Sequence, residues 1–272
     1  ALSTTSFTGN EVTNATVTFN KIGSVVNTGT FAASGISIAN ALTGTNTIAN
    51  NMISGVFANG TGGDFASGIF AGGGPGSTTR IYYNSVSLSR SDLLTGTSPN
   101  YALAIGGVQP VVDVRNNILS STGNNGTGVN VAIGLAYVGT LGNYQNLTSN
   151  FNDLFASGTG SAVGVTGSLA SSGGVPTAPG TFRVTLADWQ TETGRDGNSF
   201  NVAPNFVSGT DLHMTTTTNQ CIDGGGTPIA GFATDIDCQT RNATIPDIGA
   251  DEFTNPNLSL TASANNQCGG TP

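Results

Sequence analysis

The side chains that could do chemistry in this chain are few and unevenly placed. Fifteen acids face seven bases, with one lysine, Lys21, and one histidine, His213. The densest set is Asp223, Asp235, Asp237, Asp247, Asp251 and Glu252, with Arg241 among them. Carboxylates in this number suit a hard cation that takes oxygen ligands, so Asp235, Asp237, Asp247 and Asp251 are candidate Ca2+ ligands. Equally, Arg241 could form a bidentate pair with one carboxylate while the others cap turns. The stretch GRDGNS (194–199) is a weaker calcium-loop candidate. A single histidine argues against a zinc site built on imidazoles and leaves a Ser-His-Asp triad only one possible base. His213, within DLHMT, reads as a packed strand residue. No cofactor is expected unless the acids hold Ca2+.

Upstream, Lys21, Arg80, Arg90 and Arg115 are spread over different parts of the chain, as are Asp64, Asp92, Asp113 and Asp153. Polysaccharide hydrolysis needs two carboxylates at a defined separation, and no such pair stands out. Arg80 and Asp113 fall near equivalent strand starts and would make at most a surface ion pair, worth about 0–1 kcal/mol. Tyr82, Tyr83 and Tyr101 are the aromatics a glycan groove would use. No catalytic residue is assigned, and an enzyme is not the favoured reading. Of the three cysteines, Cys221 and Cys238 could pair across a short loop in an oxidising compartment, which leaves Cys268 over.

Composition limits the partners. Only 8% of residues are charged, the net charge is −8, and glycine occurs 40 times. Without a basic patch, nucleic acid and anionic membrane surfaces are poor partners. No apolar run approaches the ~20 residues of a membrane helix. Ala1 would suit the position after a removed signal peptide.

The elements that must position these residues follow from a repeat. Asparagine recurs ahead of an apolar residue in Asn20-Lys-Ile, Asn51-Met-Ile, Asn84-Ser-Val, Asn117-Ile-Leu and Asn152-Asp-Leu, at intervals of 31, 33, 33 and 35. A second apolar segment follows each, as in GISIAN, SGIFAG, YALAIGG, VAIGLAY and SAVGVTG. One such unit cannot bury its apolar face alone, whereas stacked units can. Dense glycine and few glutamates exclude helical repeats. The fold class is therefore all-β: a parallel β-helix (solenoid), right-handed by the general rule for parallel crossovers. A short helix and an irregular C-terminal cap complete it. Stacked asparagines would form an internal ladder, each amide donating to the next, and asparagine also tolerates the left-handed backbone of a sharp bend.

Residues 1–170 are read as coils, 171–254 as the end of the helix and its cap, and 255–272 as an extended tail or the first strand of a further module. In the second region Thr185 and Asp188 form a capping box, Gly194 ends the helix, and Trp189 anchors it to the solenoid.

The stretch DLHMTTTTNQCIDGGGTPIAGFATDIDCQTRNATIPDIGADEF (211–253) resembles the closing segment of secreted right-handed parallel β-helix proteins of bacteria with type IX secretion. NNMISGV and VRNNIL upstream are similar to that family too, so the resemblance covers about residues 20–253. Cys238 stands where that pattern usually has glycine. The final stretch NPNLSLTASANNQCGGTP is similar to the opening of an Ig-like module. The resemblance implies a secreted or cell-surface location and a structural or adhesive role. Self-association head-to-tail through an extended terminal strand, residues 257–264, is the sharper expectation. A polysaccharide lyase-like or glycan-binding domain, with extracellular glycans as partners, is the alternative.

Overall fold

The computed structural model describes residues 12–59, 65–89, 99–123, 128–169, 180–216 and 218–255. Asp64, Arg90, Asp92, Cys268 and the 257–264 segment lie outside them. The chain is a parallel β-solenoid whose turns each contribute a strand to three sheets. The first sheet stacks Thr16–Thr18, Gly44–Ala49, Ser77–Tyr82, Val111–Arg115 and Leu147–Asn150. The second stacks Lys21–Ile22, Met52–Ser54, Ser85–Leu88, Ile118–Ser121 and Asp153–Ala156. The third stacks Ala33–Ala41, Ala66–Gly73, Asn100–Ile105, Asn130–Leu135 and Ala162–Thr166, and the antiparallel strand Thr181–Arg183 closes it.

Register turns each apolar repeat position into a column. Val17, Ile48, Ile81 and Val114 stack on the first sheet. Ile22, Ile53, Val86, Leu119 and Leu154 stack on the second, and Ile36, Ile69, Leu103 and Ile133 on the third. These columns meet in one core. Each fully buried aliphatic side chain contributes about 1.5–3 kcal/mol, so the columns dominate the stability.

The asparagine ladder runs along the corner between the first and second sheets. Asn20, Asn51 and Asn84 each donate an amide N–H to the Oδ1 of the next rung at 2.9 Å, and Asn117 donates to Asn152 at 3.1 Å. The same Oδ1 atoms accept the backbone N–H of the preceding rung at 3.0–3.1 Å. The left-handed bend does not fall on the ladder asparagines. It falls one residue earlier, on Phe19, Asn50, Tyr83, Asn116 and Phe151, with φ of 59°, 51°, 52°, 58° and 57°. The reason is a division of labour. The first residue of each pair turns the chain, and the second is then free to aim its buried amide at the neighbouring rung. The left-handed conformation costs about 1–2 kcal/mol per non-glycine residue, which the ladder bonds offset.

The C-terminal third divides into two parts. The helix Leu186–Thr193 covers the end of the solenoid; Thr185 and Asp188 form its capping box, and Gly194 ends it at φ 65°. Trp189 is fully buried on the third sheet, where a Cβ on Gly164 would stand 2.1 Å from its ring. Beyond the helix, residues 196–202 continue over that end: the Asp196 N–H donates to the Ser149 carbonyl, the Phe200 N–H donates to the Asn152 carbonyl, and Phe200 bridges Asp153 in parallel. Residues 203–253 then run back as a strap along the outer face of the second sheet. The outward column of that sheet explains it. Lys21, Met52, Ser85, Ile118 and Asp153 stand in register, and Met52 and Ile118 are apolar residues that need a cover. Met52 packs with Leu212, Ile236 and Ala250, and Ile118 with Met214, Ile222 and Ile248. Ser85 Oγ accepts the Ala250 N–H at 2.9 Å.

Candidate functional site

The strap holds seven of the fifteen acids, and its loops engage several of them. Asp235 accepts the backbone N–H groups of Asp237, Gln239 and Glu252 at 2.7–3.0 Å. Asp247 accepts those of Gly224 and Phe253, both at 2.6 Å. Glu252 accepts from Asn242 and Asp247, and lies 3.2 Å from Arg241 Nη1. Arg241 is buried. Its Nη2 donates to Asn50 Oδ1 and to the Gly249 and Ala250 carbonyls, and its guanidinium lies 4.1 Å from the Tyr83 ring centroid. Tyr83 donates its hydroxyl to the Thr227 carbonyl at 2.9 Å. Arg241 thus ties the strap to the ladder corner.

The four candidate Ca2+ ligands are therefore divided. Asp235 and Asp247 shape loops, while Asp237 and Asp251 converge on His213, with ligand-capable atoms all within 4.8 Å of one another. His213 Nδ1 contacts Asp211, and Nε2 lies 2.5 Å from Asp237 Oδ2. Burial alone would lower the His213 pKa, but the hydrogen bonds to Asp211 and Asp237 more than offset it and raise it. Asp211 is held below the usual carboxylate range by its bond to His213. Asp251 is pushed up by burial, although it accepts the Met214 N–H at 2.8 Å. Lys21 Nζ lies 3.3 Å from both Asp237 Oδ1 and His213 Nε2. Lys21, Asp211 and His213 line a cleft of about 460 Å³ with Ile22, Met52 and Thr210.

His213 is not the simple packed strand residue read from the sequence; it is the centre of a charged cluster. The spacing of Asp211 and His213, two residues apart in an extended segment, was a usable signal. The approach of Lys21, 192 residues away, had none.

The other sequence candidates stay apart. Asp113 is paired with Arg115, two residues on in its own strand, at 2.7 Å, although Arg80 stands opposite it in register. Tyr82 donates to Asp113 at 2.5 Å, and burial with this bond raises its pKa to about 12. Tyr82, Tyr83 and Tyr101 are all buried and present no stacking face. Asp196 of GRDGNS accepts from Asn152, Trp189 and Ser199, so it ends the ladder. Cys238 is a free, exposed thiol, so the Cys221–Cys238 bridge is not formed; Cys221 is disulfide-bonded, and not to Cys238. The reason is local. Cys238 sits at a tight turn with φ 67°, held by its own N–H to the Asp235 carbonyl. A second cleft of about 400 Å³ is lined by Gln109, Tyr137, Asn143, Tyr144, Gln145 and Asn146 among others, and the buried Tyr137 hydroxyl has no partner there.

Comparisons with protein-family models, with curated proteins and with solved structures found no match for this chain. No helix among the described residues is long and apolar enough to cross a membrane.

Proposed function

We propose that this chain is a structural or adhesive β-solenoid module of a secreted or cell-surface protein. One observation carries the reading. Outside the His213 cluster, the charged groups that catalysis would need are held in intramolecular bonds on different sheets, with Tyr82–Asp113–Arg115 on the first and Arg241, Asp235, Asp247 and Glu252 over the second. The resemblance of residues 211–253 to type IX secretion cargo points the same way.

In its sharper form the module self-associates head-to-tail. The strands Thr16–Thr18, Lys21–Ile22 and Ala33–Ala41 are the outermost of their sheets among the described residues, and sheet edges invite pairing. Electron microscopy of the purified chain tests this: filaments are expected, and a uniformly monomeric preparation counts against it. If a chain lacking residues 256–272 still polymerises, the terminal strand is not the connector.

Glycan binding is the second reading, favoured by the amide-lined cleft around Tyr137. A panel of neutral and uronate oligosaccharides should then shift resonances of Tyr137 and Asn143. Turnover of any polysaccharide would overturn the non-catalytic reading.

A further inference from the structure

The cluster around His213 has the composition of a metal site rather than of a turn. Three observations separate it from the other acids of the strap. First, the candidate donors are one imidazole nitrogen and two carboxylates, contributed by His213, Asp237 and Asp251 from three parts of the strap. Second, Asp251 is only 5% exposed, and its Met214 bond uses Oδ2. Its Oδ1 accepts no hydrogen bond among the described residues. Third, the other ring nitrogen, Nδ1, rests on Asp211. A carboxylate behind the imidazole fixes the ring and its tautomer in metal sites of this kind.

We propose that His213, Asp237 and Asp251 bind a divalent transition-metal ion of zinc-like character through Nε2 and one oxygen from each carboxylate. Asp211 is a positioning residue that orients the ring. Mixed imidazole and carboxylate donors suit borderline ions, whereas Ca2+ prefers an all-oxygen shell. The ion would sit about 2.0–2.2 Å from each donor. Asp237, at 37% side-chain exposure, has the freedom to adjust to that distance. The adjoining cleft leaves room for water or a further ligand. Lys21 occupies the same negative locus and is the competitor: its ammonium supplies the cation when no metal is bound, and at 55% side-chain exposure it can swing aside. Because Lys21 belongs to the second sheet and the three ligands to the strap, exchanging ammonium for metal replaces one tie between them by a clamp within the strap.

The test is calorimetric titration of the full chain, stripped with chelator and carrying Cys238→Ser so that the neighbouring thiol cannot bind. One Zn2+ per chain is expected, with Ca2+ binding at least tenfold more weakly. Asp251→Asn and, at the exposed ligand, Asp237→Asn should each weaken Zn2+ at least tenfold, with the circular dichroism spectrum unchanged. Lys21→Met should tighten it. The proposal is overturned if Zn2+ shows no saturable binding, if Asp237→Asn binds like the parent, if Lys21→Met weakens binding, or if Ca2+ binds as well as Zn2+.

Discussion

Asn152 donates its side-chain amide to the Asp196 carboxylate at 3.1 Å, and this contact terminates the asparagine ladder. Every earlier rung meets another asparagine, which accepts from one side and donates to the other. Asp196 only accepts. It also takes the Trp189 indole N–H at 2.8 Å and the Ser199 hydroxyl at 2.6 Å. The last turn therefore has its donors satisfied without a further coil, and the same carboxylate fixes the tryptophan that seats the terminal helix.

The middle of the ladder should be costlier to remove than its start. Asn117→Ala strips the acceptor from the Asn84 backbone N–H in a fully buried corner, and it removes the amide that Asn152 Oδ1 accepts from, while Asn84 Nδ2 keeps the Ile48 and Tyr82 carbonyls. Leaving a buried donor unpaired costs about 1–3 kcal/mol, so a loss of that size is expected in urea unfolding. Asn20→Ala, at the half-buried first rung, should cost clearly less. Equal losses would remove the ladder as a cooperative element.

Asp153 predicts how stability varies with pH. It is fully buried, Oδ1 accepts the Val202 N–H at 3.0 Å, and Oδ2 has no partner. Burial raises its pKa from 3.8 to about 8. The folded state thus holds the proton more tightly than the unfolded chain. This group's contribution is fully present below about pH 4 and is lost as pH rises toward 8. Asp153→Asn keeps the acceptor and cannot ionise. It should raise the melting temperature at pH 8 and leave it nearly unchanged at pH 4. A parallel shift at both pH values would refute the assignment.

Arg241 should control the strap and not the solenoid. Arg241→Met removes the bonds to Asn50, Gly249, Ala250 and Glu252. Removing one partner of a buried charged pair costs about 3–5 kcal/mol. Hydrogen exchange should then accelerate across 205–253 first, with Ile53, Val86 and Leu119 still protected. Uniform acceleration through the chain would show that strap and coils unfold as one unit.

Cys238 predicts a stabilising substitution. Its φ of 67° is the left-handed region, and its side chain is exposed and unbridged. Cys238→Gly removes the Cβ clash there and should gain about 0.5–1 kcal/mol, less the extra flexibility it gives the unfolded chain. A measurable loss in the thermal melt would contradict this.

The sequence by itself determined the solenoid. The asparagine spacing, the second apolar segment and the Thr185–Gly194 helix signals are local patterns, and parallel stacking turns a local pattern into a column by repetition. Asn117 could be read as a rung because four other residues occupy the same place in the repeat. The strap had no such redundancy. Its residues occur once, and their partners lie far away in sequence: Arg241 on Asn50, Ser85 beneath Ala250, Lys21 beside His213. A reading of turn chemistry could find capping acids in 223–252 but not which of them would converge. Only the tertiary structure separated Asp235 and Asp247, which hold loops, from Asp237 and Asp251, which face His213. The path of the strap over Met52 and Ile118 made that choice, because outward apolar residues on the second sheet had to be covered by something.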